Sequence, residues 1–178
     1  MKKLFAILNS GISGRGASSI NPGLVLAAIA VFIALSFASP YFLTTNNLLN
    51  IAKALVIVGI AAAGETIVII AGGFDLSIGS TMAASGMLAA YLLDSGAGVA
   101  MAFTCAIVLG IGIGTVNGTL IAYFRINPLI TTLAMLAIIR GLAFVISDGR
   151  EIIITNKTWL SLGTGKLAGI PYIVLILI

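Results

Sequence analysis

Long apolar runs follow one another through this 178-residue chain, separated only by short polar breaks. They cover residues 23–38, 51–71, 77–93, 99–124 and 129–146, and a sixth opens near Ala168. A helix that crosses bilayer hydrocarbon needs about 20 such residues at about 1.5 Å rise each. The breaks carry helix-ending chemistry: Ser39-Pro40, Gly72-Gly73, Asp94-Ser95-Gly96, Arg125-Ile126-Asn127-Pro128 and Ser147-Asp148-Gly149-Arg150. Composition agrees, with 60% hydrophobic and 8% charged residues, against about 25% charged in soluble domains. A soluble enzyme domain and a disordered chain are both excluded. The sequence predicts an all-α, polytopic transmembrane helical bundle of about six spans, the last of them truncated.

The first 21 residues read as a cytoplasmic lead. Lys2 and Lys3 resemble the start of a secretion signal, but the apolar run 4–8 is shorter than the about 7–15 residues a signal core needs. Residues 22–178 then form the membrane part. The sixth run reaches Ile178 after too few residues to cross a bilayer, so the expectation is a truncated chain, with a re-entrant or interfacial tail as the alternative. Lys+Arg 9 against Asp+Glu 5 gives a net charge of +4, which in a membrane chain bears on topology rather than on nucleic acid. With the N-terminus inside, Lys2, Lys3, Arg15 and Arg125 fall on one side and Lys53, Arg150, Lys157 and Lys166 on the other. The acid-free basic lead favours a cytoplasmic N-terminus.

Polar residues at membrane depth are the informative ones. Glu65 lies within the second run, and an acid at a helix centre costs about 2.5–3.5 kcal/mol on insertion scales. The surrounding Ile, Leu and Val residues return enough for insertion, provided Glu65 faces protein or a wet cavity. It reads either as a pathway or gating residue or as a hydrogen-bond partner between helices. Arg140 raises the same question in the fifth run, and a Glu65–Arg140 ion pair is one solution. Between the second and third runs, Gly72 and Gly73 release the helix, Asp75 or Ser77 can cap the next one, and Gly79 permits close backbone approach. Such a helix start can meet a polar solute, or can simply be a capped hairpin. Small residues recur at Ser77, Thr81, Ser85 and Ala89 and at Gly110, Gly114 and Gly118, the latter ridge carrying Asn117 beside it. Both stripes read first as packing surfaces, and Asn117 as a helix–helix bond or a cavity-lining group.

Catalytic and metal motifs are absent from the sequence: it has no His and one Cys, Cys105. The run Gly163-Thr164-Gly165-Lys166-Leu167 fails as a phosphate loop, because Leu160 stands at the first glycine position and Leu167 where Ser or Thr should follow the Lys. The pathway or gating candidates are therefore Glu65, Asp75, Asn117 and Arg140, with Gly72, Gly73, Ser77 and Gly79 as the helix-break motif.

With those residues in view, the chain resembles the ribose-permease-like membrane permeases of bacterial ABC sugar importers. Three stretches carry the likeness. Ser39-Pro40-Tyr41-Phe42-Leu43-Thr44-Thr45-Asn46-Asn47-Leu48 is similar to the segment after the first helix. Gly73-Phe74-Asp75-Leu76-Ser77-Ile78-Gly79-Ser80 is similar to a Gly-Ile-Asp-Leu-Ser-Val-Gly-Ser motif, Phe74 replacing a small aliphatic residue. Asn117-Gly118 and the stretch from Ile126 through Arg140-Gly141 continue it. The resemblance implies a non-enzymatic subunit in the bacterial inner membrane that binds no cofactor itself, with residues 22–178 as the N-terminal half of its transmembrane domain. Its implied partners are a second permease chain, an ABC ATP-binding subunit holding ATP-Mg, and an extracytoplasmic solute-binding protein. A branched-chain amino acid permease of the related family, a non-transporting membrane scaffold and a secondary transporter are the alternatives.

Overall fold

The computed structural model describes residues 21–167 and 170–175. These fall into two compact units, one ending at Leu48 and one beginning at Leu49, each described by itself. The lead that the sequence reads as cytoplasmic lies outside the described residues, apart from Asn21.

In the first unit, α1 spans Pro22–Ala38. Asn21 starts it: its side chain accepts from Gly23 N at 2.9 Å, and Pro22 supplies a preset φ where no donor is needed. None of its residues is buried by the rest of the chain, as suits a helix that is apolar on every side and solvated by lipid. Ser39 and Pro40 end it, and Phe32 packs edge-on against Phe42 at 5.2 Å.

The helix α2, Thr45–Ile70, crosses the boundary into the second unit. Its 26 residues give about 39 Å at the standard rise, more than the about 30 Å of bilayer hydrocarbon. It stops where the sequence predicts. Gly72 adopts φ +86°, Gly72 N donates to Ile69 O at 2.9 Å and Gly73 N to Val68 O at 3.0 Å. That pair of bonds satisfies the last carbonyls of the helix, and the left-handed residue that makes it possible is a glycine.

Three further helices follow: α3 at Ile78–Asp94, α4 at Val99–Ala122 and α5 at Pro128–Ser147. Asn127-Pro128 repeats the device of Asn21-Pro22, its side chain accepting from Leu129 N and Ile130 N. The helix α3 packs against both α4 and α5, which touch each other less. The core forms around α3. Ala84 meets Ile113, Ile139 and Ala143 in one cluster, and Ala89 and Leu93 meet Ala102 in another, against which Ile154 and Trp159 pack. Small side chains let backbones close up where lipid offers no hydrophobic reward for association.

The helices α2, α4 and α5 are each long and apolar enough to cross a membrane, whereas α1 and α3 have 17 residues each. The third run is thus the packing centre of its unit, and its length of about 26 Å falls slightly short of the hydrocarbon. After Ser147 the chain turns through Asp148 at φ 53° and Gly149 at φ 69°. It then runs to a short amphipathic helix α6, Lys157–Thr164, capped by Asn156. Strands β1, Lys166–Leu167, and β2, Ile170–Pro171, pair antiparallel, and the helical turn α7 covers Tyr172–Leu175. Where the sequence suggests a sixth apolar helix from about Ala168, the described residues make a strand first and a helical turn only from Tyr172. Pro171, which pairs opposite Lys166, is buried. Apart from this strand pair, the regular elements among the described residues are all helices, as in an all-α polytopic membrane protein.

Candidate functional site

Four segments converge at the end of the second unit where α2 and α4 finish and α3 and α5 begin. The break 71–77 lies between them, and its backbone is held from three directions. Glu65, near the end of α2, accepts from Asp75 N through Oε1 at 3.0 Å. Asp75 Oδ1 in turn accepts from both Ser77 N at 2.8 Å and Ser77 Oγ at 2.6 Å. Asn117, about four-fifths of the way along α4, donates Nδ2 to Ser77 Oγ at 2.9 Å. From α5, Thr132 Oγ1 lies within reach of Phe74 O at 3.3 Å and Pro128 O at 2.9 Å. The motif is therefore a hub of polar contacts that joins four helices in a setting where unpaired polar groups are costly.

Local chemistry explains the arrangement. Ser77 stands at the N-cap of α3 but makes no side-chain cap bond. Asp75 instead folds back on Ser77 as an Asx turn, and Ser77 O takes the N–H of Thr81 and the hydroxyls of Ser80 and Thr81. The Ser77 hydroxyl is thereby polarised: it donates to a carboxylate and accepts from an amide, and Ser77 is completely buried. Two acceptors of this network are left over. Glu65 Oε2 and Asn117 Oδ1 are both buried without a hydrogen-bond partner among the described residues, as is Thr131 Oγ1 on α5.

A cavity of about 480 Å³ opens beside the hub. Ile67, Val68, Phe74, Ile121 and Pro128 give it an apolar wall, and Asp75, Asn117 and Thr132 a polar one. Its volume lies within the about 300–1,000 Å³ typical of small-molecule sites. Among the described residues, no group of three or more His, Cys, Asp or Glu side chains is placed to hold a metal.

The sequence-derived candidates separate cleanly. Glu65, Asp75, Ser77 and Asn117 come together in one network, with Gly72 and Gly73 beside them. Arg140 does not. It is exposed on α5, and the Glu65–Arg140 pair does not form: the salt bridge among the described residues joins Arg150 to Asp148 at 2.8 Å. Glu65 spends one oxygen on a backbone N–H, and the other meets no cation among the described residues. Gly79 faces open space, where an added Cβ would meet nothing within 4 Å. Gly73 has neighbours, but an added Cβ would meet them at ordinary contact distance, 3.4 Å from Val68 Cγ1 and 3.7 Å from Pro128 Cβ. The glycine ridge divides likewise: Gly110 faces Ser85, whereas Gly114 and Gly118 line the cavity without close neighbours.

Comparison with known proteins bears on this architecture. The family model described as "Branched-chain amino acid transport system / permease component" matches residues 47–174, which contain the whole hub. The chain belongs to this permease family. Among curated members, it is 37% identical over 150 residues to the L-arabinose ABC transporter permease protein AraH of Azospirillum brasilense, covering 84% of this chain and 44% of that protein. It is 38% identical over 128 residues to the ribose import permease protein RbsC of Escherichia coli K12, covering 71% and 40%. To the L-arabinose transport system permease protein AraH of the same strain it is 34% identical over 149 residues, covering 84% and 45%. The chain spans less than half the length of these permeases. No solved structure matches it significantly.

Within this permease chain, sequence reasoning passed over Thr131 and Thr132, which are both buried on the first turns of α5. The available signal was a pair of hydroxyls directly after an Asn-Pro helix start, in a run otherwise too apolar to spare them.

Proposed function

We propose that this chain is the membrane permease subunit of a bacterial ATP-dependent sugar importer, with residues 22–178 forming the N-terminal half of its transmembrane domain. The observation that carries the reading is the pairing of the hub with relatives named for ribose and L-arabinose. A polar network and a mostly apolar cavity lie together where apolar helices meet, on a chain similar to sugar permeases. The candidate pathway or gating residues are Glu65, Asp75 and Asn117, which the hub supports. Arg140 remains a candidate only as an exposed group that would need a neighbouring chain.

In this reading the subunit is not itself an enzyme. ATP-Mg binds a separate ABC ATP-binding subunit, a second permease chain completes the pathway, and an extracytoplasmic solute-binding protein delivers the sugar. The chain is a multi-pass inner-membrane protein with its N-terminus in the cytoplasm, which puts the hub at the cytoplasmic end and the segment 148–156 outside. The relatives' names favour sugars over branched-chain amino acids, although the family description mentions the latter.

Proteoliposomes test the assignment. The permease is reconstituted with an ABC ATPase and a solute-binding protein from the same organism, and uptake of labelled D-ribose, L-arabinose and L-leucine is followed. ATP-dependent uptake of a sugar is the expected result. Uptake of L-leucine alone selects the amino acid permease. Accumulation driven by a cation gradient without ATP selects a secondary transporter, and no uptake with stable insertion selects a scaffold.

A further inference from the structure

We propose that the cavity beside the helix break is a monosaccharide subsite on this chain, with Phe74 as its aromatic platform and Asp75 and Asn117 as its hydrogen-bonding edge. The inference rests on the sugar-permease reading and adds to it the place and the atoms.

The chemistry of the wall selects the class of ligand. Asn117 is 4% exposed, yet its Oδ1 has no donor among the described residues, a state that is costly when left unmet. Asp75 lines the same cavity, and its Oδ2 accepts no hydrogen bond from the described residues, Oδ1 having taken both donors of Ser77. Both vacancies are acceptors, so the complementary ligand brings donors. No cationic side chain lines the cavity, which leaves an anionic ligand without a counter-charge. The opposite wall is apolar, and Phe74 is 57% exposed, its ring uncovered where a polar ligand alone would gain nothing from it. A sugar ring satisfies both walls: its C–H face stacks on the aromatic ring, and its hydroxyls donate to the carboxylate and the amide. The glycines 114 and 118 keep the α4 side of the cavity free of side chains, so that a ring can lie against the helix backbone.

Saturation-transfer NMR on the 178-residue chain in lipid nanodiscs tests the subsite, with D-ribose, L-arabinose and L-leucine as probes. Phe74 is exposed, so Phe74→Ile and Phe74→Tyr leave packing intact. The expected result is transfer to a sugar, an affinity loss of about threefold to tenfold in Phe74→Ile, and retention in Phe74→Tyr. Equal sugar binding by wild type and Phe74→Ile overturns the subsite while leaving the sugar-permease reading standing. Transfer to L-leucine alone overturns both. No transfer to any probe overturns the subsite, and the reading is then decided by the uptake measurement.

Discussion

The Asn117 amide and the Ser77 hydroxyl are bonded across 40 positions of sequence, the one side-chain hydrogen bond between α4 and the helix break among the described residues. In a membrane protein such a bond contributes modestly, about 0.6 kcal/mol on average in double-mutant cycles, because the unfolded chain in lipid also finds partners. A cycle of Ser77→Ala and Asn117→Ala is therefore expected to give a coupling of about 0.5–1.5 kcal/mol by thermal unfolding in detergent. A coupling near zero would mean that the two groups do not depend on each other. At Glu65 the contrast between substitutions is sharper. Glu65→Gln keeps an oxygen for Asp75 N–H and should unfold within about 1 kcal/mol of wild type. Glu65→Leu orphans that donor and should cost about 1–3 kcal/mol, despite making the helix easier to insert. That Glu65, Asp75 and Asn117 would be unusual was legible from their polarity in apolar runs. That Glu65 holds a backbone N–H rather than Arg140 was not, because a side chain's partner depends on how helices lie together.

The break between α2 and α3 shows which glycine does what. Gly72 carries the left-handed conformation, and a Cβ there costs about 1–2 kcal/mol. Gly79 is helical with open space around it, and replacing it with Ala should gain about 0.5–1 kcal/mol by removing backbone freedom from the unfolded chain. Melting Gly72→Ala and Gly79→Ala side by side should therefore shift the midpoint in opposite directions. If both lower it, the turn geometry assigned to Gly72 is wrong. Helix ends at Gly72-Gly73, Ser95-Gly96 and Asp148-Gly149 were readable because capping is local: a residue's own φ preference decides it. The division of labour among small residues was not. Periodicity places Gly110, Gly114 and Gly118 on one ridge, but only Gly110 meets a neighbouring side chain, and the other two open onto a cavity. Ala84, completely buried between α4 and α5, lies on no stripe that the sequence singles out.

At the scale of the second unit, its two ends differ in chemistry. The end bearing the helix break carries Asp75 and Arg125. The other carries Asp94, Asp148, Arg150 and Glu151 around a second cavity of about 430 Å³. With Cys105 replaced by Ser, single cysteines at Arg125 and Asp148 test the proposed topology, both native residues being exposed. A membrane-impermeant maleimide added to intact spheroplasts should label Asp148→Cys at once, and Arg125→Cys only after permeabilisation. The reverse pattern would invert the chain and put the hub outside. The membrane class and the five long helices followed from composition and run length, because lipid obliges each backbone donor and acceptor to pair within its own segment. Hydropathy alone determines that outcome, since each helix closes its bonds without help from the rest of the chain. Tertiary structure decided the rest: that α3 is the packing centre, that Arg140 stays outside the hub, and that Thr132 and Phe74 join the site. Those outcomes turn on which faces meet, and in lipid the apolar pattern carries little information about facing, because hydrocarbon and protein interior are nearly equal as solvents for a leucine.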